Sequence, residues 1–330
     1  MNEAEQRQNQ EVLKDAFARH VSEALSASPR SLSSRFIYDA AGSRLFEKIM
    51  QLPEYYLTRA EYAILEHRSG EIAAALPDWD CFDIVEFGAG DGTKTRLLLE
   101  ELSRTRKIRY LPVDISAAAL GTLGKNLAQW LPDLDLMPLQ AEYFAALDSL
   151  RGNGRPKLVL FLGSNIGNFT HVQTIAFLRH LQASLLPEDC LLTGFDLKKD
   201  PQRILAAYND SQHVTRDFSR NLLHRINNEL GGNFVAPDFD FYPSYNPETG
   251  EMHAFLISTR EQDVRIEALD LDLHFIAWET IHTEVSRKYD LPLIESLAAE
   301  SGFRVMGHFH DPNHDFVDSL WSSEQLTVNS

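Results

Sequence analysis

Glu86-Phe87-Gly88-Ala89-Gly90-Asp91-Gly92 is the stretch that decides how this chain folds. The apolar run FDIVEF (82–87) leads into it and TKTRLLLEEL (93–102) follows, so the glycines lie where a strand turns into a helix. Glycines at alternate positions let backbone approach a ligand closely at the carboxyl edge of a sheet. The same texture continues downstream. IRYLPVDIS (108–116), LDLMPL (134–139), KLVLFLG (157–163) and CLLTGFDL (190–197) read as strands, with helical runs such as AAALGTLGKNLAQW (117–130) between several of them. Continuous apolar strands alternating with helices imply a parallel sheet covered on both faces, a doubly wound α/β domain.

The end of the chain modifies that picture. A helix near 291–301, a Gly302 cap and strands at 303–309 and 316–321 are expected. The strands are joined only by Asp311-Pro312-Asn313-His314-Asp315, too short for a parallel crossover, so they must be antiparallel. A parallel sheet ending in one antiparallel hairpin is the topology of the class I methyltransferase fold. Residues 200–285 depart from the pattern. A helix over 214–230 stops at Gly231-Gly232, and strand-like runs follow at 238–245, 251–260 and 272–279, the first two joined by the turn Asn246-Pro247-Glu248-Thr249-Gly250. Near the N-terminus Leu13, Phe17, Val21 and Leu25 share a helical face, SASPRSLSS (26–34) breaks it, and helical patterns resume at 41–51 and 58–76. The expected division is a methyltransferase domain of residues 60–199 and 286–330, a second α+β substrate-binding domain of 10–59 and 200–285, and a polar tail of 1–9.

Composition narrows the function. Lys plus Arg number 31 against 48 Asp plus Glu, a net charge of −17, which makes nucleic acid a poor partner because its affinity comes mainly from basic side chains. No apolar run reaches the ~18 residues that a membrane span needs. The first residues lack the basic-then-apolar pattern of a signal peptide. Cys81 and Cys190 are the only cysteines, too few for a disulfide framework or a cysteine zinc site. A cytoplasmic monomer acting on a small molecule is the expectation.

The glycine loop lacks the dinucleotide fingerprint, since G-x-G-x-x-G would need glycine where Thr93 stands; this argues against a nicotinamide oxidoreductase. Its E-x-G-x-G-x-G form suits S-adenosylmethionine, which has no pyrophosphate to cradle. Asp114, at the end of the second strand, can accept hydrogen bonds from ribose hydroxyls. Phe161-Leu162-Gly163-Ser164-Asn165-Ile166-Gly167-Asn168 leaves the fourth strand at the same edge without the N/D-P-P-Y motif of base-amine methylases. Asn168 either holds a substrate through its amide or bonds its own backbone. His308, His310 and His314 with Asp311 and Asp315 resemble a metal cluster, but such histidines are usually surface polar residues, and no metal is expected. Tyr55-Tyr56 reads as packing with one exposed hydroxyl, and the T-E-V-S-R-K run (283–288) as a solvated helix start capped by Thr283 or Ser286.

Longer stretches carry a resemblance. SRFIYDAAGSRLFEKI (34–49), LPEYYLTRAE (52–61), FGAGDGTKTR (87–96), FLGSNIGN (161–168) and IHTEVSRKY (281–289) are spread over most of the chain. In them the sequence resembles the L-histidine Nα-methyltransferases of ergothioneine biosynthesis. The resemblance implies S-adenosylmethionine-dependent trimethylation of the histidine α-amine to hercynine, with histidine bound between a methyltransferase domain and a second domain. It puts Gly88 and Lys94 in the first cofactor loop, Asp114 at the ribose, Glu142-Tyr143 near the adenine and Tyr38 close to the cofactor. It puts Asn168 and Tyr208 near the α-amino and carboxylate groups as the catalytic candidates, with Gly163 in the same substrate set. One of Tyr55 and Tyr56, better Tyr55, matches a substrate tyrosine, and Glu284 and Ser286 match the pair that reads the imidazole. Glu142 stands where aspartate is expected, and Ala254 where the family has a larger side chain. The rival expectations are an Nα-methyltransferase for tryptophan or tyrosine, and a noncatalytic S-adenosylmethionine-binding protein.

Overall fold

The structure, a computed structural model, describes residues 3–141, 145–146 and 154–323. By internal contacts the chain divides into two compact units, Met1–Tyr56 with Asp200–Ser286, and Leu57–Lys199 with Arg287–Ser330.

The second of these units is built on one sheet. Its strands are β1 (Cys81–Phe87), β2 (Lys107–Asp114), β3 (Asp135–Leu136), β4 (Leu139–Gln140), β5 (Lys157–Phe161), β6 (Cys190–Asp196), β7 (Arg304–His310) and β8 (Phe316–Ser322). They lie in the order β7-β8-β6-β5-β1-β2-β3, with β4 also on β2. Pairs from β6 to β4 are parallel, whereas β8, last in the chain, is inserted between β6 and β7 and runs antiparallel to both. This is the class I methyltransferase arrangement. The run 134–139 differs from expectation: it forms two short strands rather than one. Pro138 separates them, since it has no N–H to give the ladder.

Both faces of the sheet are covered, which is why its strands read as unbroken apolar runs. Val85, Phe87, Val159, Phe161, Phe195 and Trp321 join one core with Phe177 and Leu181 of helix His171–Ser184 and Leu297 of helix Leu291–Glu300. With side chains alternating, Ile84, Glu86, Tyr110 and Asp318 belong to the other face, where helices Leu57–Ala75 and Thr95–Ser103 pack. That second face carries the buried acids Glu86 and Asp318.

In the other unit, the first helix begins at Glu3, so the described part of the segment expected to be a tail is helical; its Glu, Gln and Arg residues are good helix formers. Strands are ordered Arg30–Ser31, Thr280–Arg287, Glu251–Ser258 and Phe239–Asn246. The last two form the expected hairpin, with Gly250 at φ 75° in its turn. The strand expected at 272–279 is corrected. Leu271–Phe275 pairs with Gln262–Ile266 in a separate two-stranded sheet, and Trp278, at φ 72°, ends the extended backbone before Thr280–Arg287 begins. The run expected as a helix start at 283–288 therefore lies largely in a strand, with Thr283 and Ser286 buried rather than capping. Helix Val214–Leu230 ends at Gly231 with φ 66°, as the glycine pair implied. Phe234, Phe239 and Phe275 pack edge to face in this unit's core.

The hairpin between β7 and β8 is held by one side chain. Asp311 is buried, and its carboxylate accepts the N–H groups of Asn313 (2.9 Å), Asp315 (2.7 Å) and Phe316 (2.8 Å). Asp311→Ala leaves three backbone donors without that acceptor. It should cost about 2–3 kcal/mol in urea denaturation, and a loss below ~0.5 kcal/mol, the size of an ordinary surface substitution, would contradict this role.

Candidate active site

At the carboxyl edge of the sheet the chain leaves β1 through Gly88, Gly90 and Gly92, at φ 70°, 58° and 77°. Only glycine adopts such angles without strain, and a Cβ on Gly92 would also strike the Leu123 side chain. Gly88 N–H donates to Val113 O (2.9 Å), tying the loop to the end of β2. Asp114 follows there, and its carboxylate accepts the Ser116 N–H at 2.8 Å. Burial pushes this carboxyl up, and backbone N–H groups of Ser116, Ile115 and Gly90 oppose the shift. Inside the loop Asp91 accepts both the N–H (3.0 Å) and the hydroxyl (2.8 Å) of Thr93.

The loop after β5 approaches the same edge. Gly163, at φ 77°, donates its N–H to Glu61 Oε1 at 2.6 Å, while Lys94 of the glycine loop donates to Glu61 Oε2. In this loop the Asn165 amide donates to Leu162 O (2.8 Å). Asn168 ends the short turn Asn165–Asn168, half-buried. Gly88, Lys94, Asp114, Gly163 and Asn168 thus belong to one unit and to the loops of one sheet edge. Glu142 and Tyr143 lie outside the described residues.

The other unit gathers the remaining candidates. Tyr208, the last residue of helix Pro201–Tyr208, is buried and shares a hydrogen bond of 2.8 Å with the Ser286 hydroxyl. The Tyr55 ring meets Tyr208 edge-on at 6.3 Å and Phe46 at 6.2 Å; Phe46 in turn meets Tyr38 at 5.5 Å. Tyr38, Tyr55, Tyr208 and Ser286 are therefore linked through four aromatic rings. Both Tyr55 and Tyr56 are buried, at 9% and 5% exposure, so the expected exposed hydroxyl is not seen, and Tyr56 instead carries the Arg203 guanidinium over its ring at 5.0 Å. Glu284 is half-buried two residues before Ser286. Ala254 is buried on the neighbouring strand, its carbonyl accepting the Thr283 hydroxyl at 3.1 Å.

The histidine cluster has structural explanations. His308 Nδ1 lies 3.0 Å from Ser319 Oγ, the His310 and His314 rings are 4.8 Å apart, and Asp311 serves the turn. Among the described residues no group of three or more His, Cys, Asp and Glu could hold a metal ion. No helix among them is long and apolar enough to cross a membrane.

Beneath the loops lie two acids, Glu61 and Asp318, that no sequence motif marks for function. Glu61 and Asp318 are fully buried, as is Glu86, which begins the glycine motif. The only signal was an acid inside an otherwise buried helix face or a buried strand. Glu86 accepts hydrogen bonds from Thr95 Oγ1 (2.7 Å) and the Tyr110 hydroxyl, yet burial pushes its carboxyl to about 7. The folded protein thus holds a proton on Glu86 that the unfolded chain releases near 4.5. Stability from this group is complete below pH 4.5 and is lost as pH rises through about 7, a loss of about 3 kcal/mol. Glu86→Gln keeps the shape of the neutral acid and should remove this slope in urea denaturation across that window. Parallel pH profiles for the two proteins would contradict it.

The histidine-specific, S-adenosylmethionine-dependent methyltransferase family matches residues 17–323. A histidine N-alpha-methyltransferase of Mycolicibacterium smegmatis is 38% identical, over 93% of this chain and 94% of its own. Its counterpart in Mycobacterium tuberculosis is 36% identical, over 92% and 94%. Ergothioneine biosynthesis protein 1 of Neurospora crassa is 33% identical over 85% of this chain, which corresponds to 32% of that longer protein. A match across nearly the whole chain, on a class I methyltransferase sheet, leads to one conclusion: the chain belongs to the histidine-specific, S-adenosylmethionine-dependent methyltransferase family.

Proposed function

We propose that this enzyme transfers methyl groups from S-adenosylmethionine to the α-amine of L-histidine three times in succession, giving hercynine as a step of ergothioneine biosynthesis. The names of the two mycobacterial relatives and of the fungal protein support the substrate and the pathway. The observation that carries the amino-acid assignment is the buried Tyr208–Ser286 hydroxyl pair with Glu284 two residues away, beside aromatic rings. The reading includes a cytoplasmic monomer that needs no metal.

In this reading the unit built on the glycine loop holds the cofactor, through Gly88, Lys94 and Asp114, with Glu142-Tyr143 at the adenine and Tyr38 as a further contact. The other unit is the substrate-binding domain. The sulfonium supplies an activated methyl group, so the protein's share is placement, and proximity and orientation carry much of the acceleration. Tyr208 and Asn168 position the amine, and Gly163 and Tyr55, or Tyr56, complete the surroundings of the amino acid. Each transfer forms one N–C bond, breaks one S–C bond and releases one proton. The amine must be neutral when it attacks, because an ammonium has no lone pair. The product nitrogen has no N–H left, so its hydrogen bonds must be few, and rings such as Tyr55 favour the growing cation.

Glu284 and Ser286 are assigned to the imidazole. A carboxylate accepts one ring N–H and a hydroxyl serves the other nitrogen. Tryptophan and tyrosine offer a single polar group each and would leave a polar partner unpaired.

Mass spectrometry of histidine incubated with the protein and S-adenosylmethionine tests the reaction. Gain of three methyl groups on the α-nitrogen is expected; histidine left unmodified, with another amino acid methylated, would overturn the substrate. For the imidazole assignment, Glu284→Ala should lower kcat/KM for histidine relative to tryptophan by roughly tenfold or more. An unchanged ratio would remove Glu284 from the recognition of histidine.

A further inference from the structure

A buried cluster lies beneath the two loops, and the proposed reaction does not use it. Helix Leu57–Ala75 turns Leu57, Ala60, Glu61, Ile64 and Leu65 inward, so an acid sits in an apolar row. Burying an unpaired carboxylate is costly, and Glu61 is paired twice. Oε1 accepts the Gly163 N–H at 2.6 Å, and Oε2 accepts from the Lys94 ammonium. Its place is reserved by a missing side chain: a Cβ on Gly194 of β6 would run into Oε1.

Asp318 of β8 stands opposite Gly194 in the antiparallel register. It is fully buried, and neither carboxyl oxygen has a hydrogen-bond partner among the described residues. Burial, and then the nearby Glu61 charge, push the Asp318 carboxyl well up, against the pull of Lys94. Glu86 is also held towards its neutral form. Lys94 itself is shifted up: burial opposes its charge, but Glu61 first, then Glu86 and Asp318, outweigh burial. Of the three acids, Glu61 is the one that accepts a hydrogen bond from the ammonium.

We propose that Glu61 is a positioning residue for cofactor binding, whose carboxylate fixes the Lys94 ammonium of the glycine loop and the Gly163 amide of the neighbouring loop in one relation. It acts through Lys94, and the inference rests on the reading that Lys94 belongs to the cofactor site. Without the Glu61 charge, Lys94 would remain beside two acids that favour neutrality, and its side chain would lose the bond that aims it. Glu61→Gln is a suitable probe. The amide oxygen still accepts from Gly163, but the amide nitrogen, a donor, then faces the ammonium.

The experiment is calorimetric titration of S-adenosylhomocysteine into the full-length protein and into Lys94→Ala, Glu61→Gln, Glu61→Asp and Glu61→Gln/Lys94→Ala. Lys94→Ala and Glu61→Gln should each weaken binding by roughly tenfold or more. The double variant should bind no worse than Lys94→Ala alone, because both changes remove one interaction. Glu61→Asp keeps the charge and is too short to reach both partners, so it should fall between wild type and Glu61→Gln, and it carries the test if Glu61→Gln does not fold. A purely structural role predicts a lower melting temperature with unchanged affinity in the folded variants. Weakened binding in Lys94→Ala alone, with wild-type affinity in folded Glu61→Gln or Glu61→Asp, overturns the role of Glu61. Additive losses in the double variant overturn its action through Lys94. Unchanged affinity in Lys94→Ala removes Lys94 from the cofactor site, and the inference falls with that reading.

Discussion

The carboxyl edge of the large sheet depends on a buried charge. Glu61 arrives on a helix that precedes the sheet in sequence, yet it binds a residue 33 positions on and another 102 positions on. The loops after β1 and β5 therefore share one acceptor. A carboxylate is a demanding choice for this task, because it must stay paired to be tolerated in a buried site. That demand is also what makes it useful. Any rearrangement that separates Lys94 or Gly163 from Glu61 leaves a charge or an amide unsatisfied, so the two loops are held in a narrow set of positions.

The same principle, that polar groups inside a protein must find partners, explains the other unit. Tyr208 and Ser286 are both buried and satisfy each other at 2.8 Å. The rings of Tyr55, Phe46 and Tyr38 continue from that pair, edge to face, at 5.5 to 6.3 Å. Aromatic surface beside a few hydroxyls suits an amino acid whose nitrogen becomes a cation without N–H groups. Each unit thus has its own chemistry: fixed loops and charge in one, aromatic faces and hydroxyls in the other.

Much of this could be read from the residues. The motif Glu86–Gly92, Asp114 and the short link 311–315 were enough to give the class I sheet, because each reflects a local rule about glycine, strand ends or loop length. Tyr208 and Ser286 came from resemblance, not from physics, since 78 positions separate them and nothing local marks the pair. The strand Thr280–Arg287 was misread around 283–288 because a Thr-Glu-Val-Ser run fits a helix start as well as a strand; pairing with residues 30–31 and with a distant hairpin decides it. Trp278, at φ 72°, and Pro138 broke strands at positions where hydrophobicity alone suggested continuity. Glu61 and Asp318 were visible only as acids in buried rows, and the partners of Glu61, Lys94 and the Gly163 N–H, lie far along the chain.

We assign the methyl donor mainly to the unit that carries the glycine loop, and the amino acid to Tyr208, Glu284 and Ser286 of the other unit together with Asn168 and Gly163 of the first. Hydrogen exchange on the full-length protein, first with S-adenosylhomocysteine and then with histidine added, tests that division directly. The homologue of the donor should slow exchange at residues 88–94 and 114–116, and histidine should then slow it at 208–210 and 284–286. Histidine protection confined to the unit that carries the glycine loop, with 208–210 and 284–286 unchanged, would contradict it.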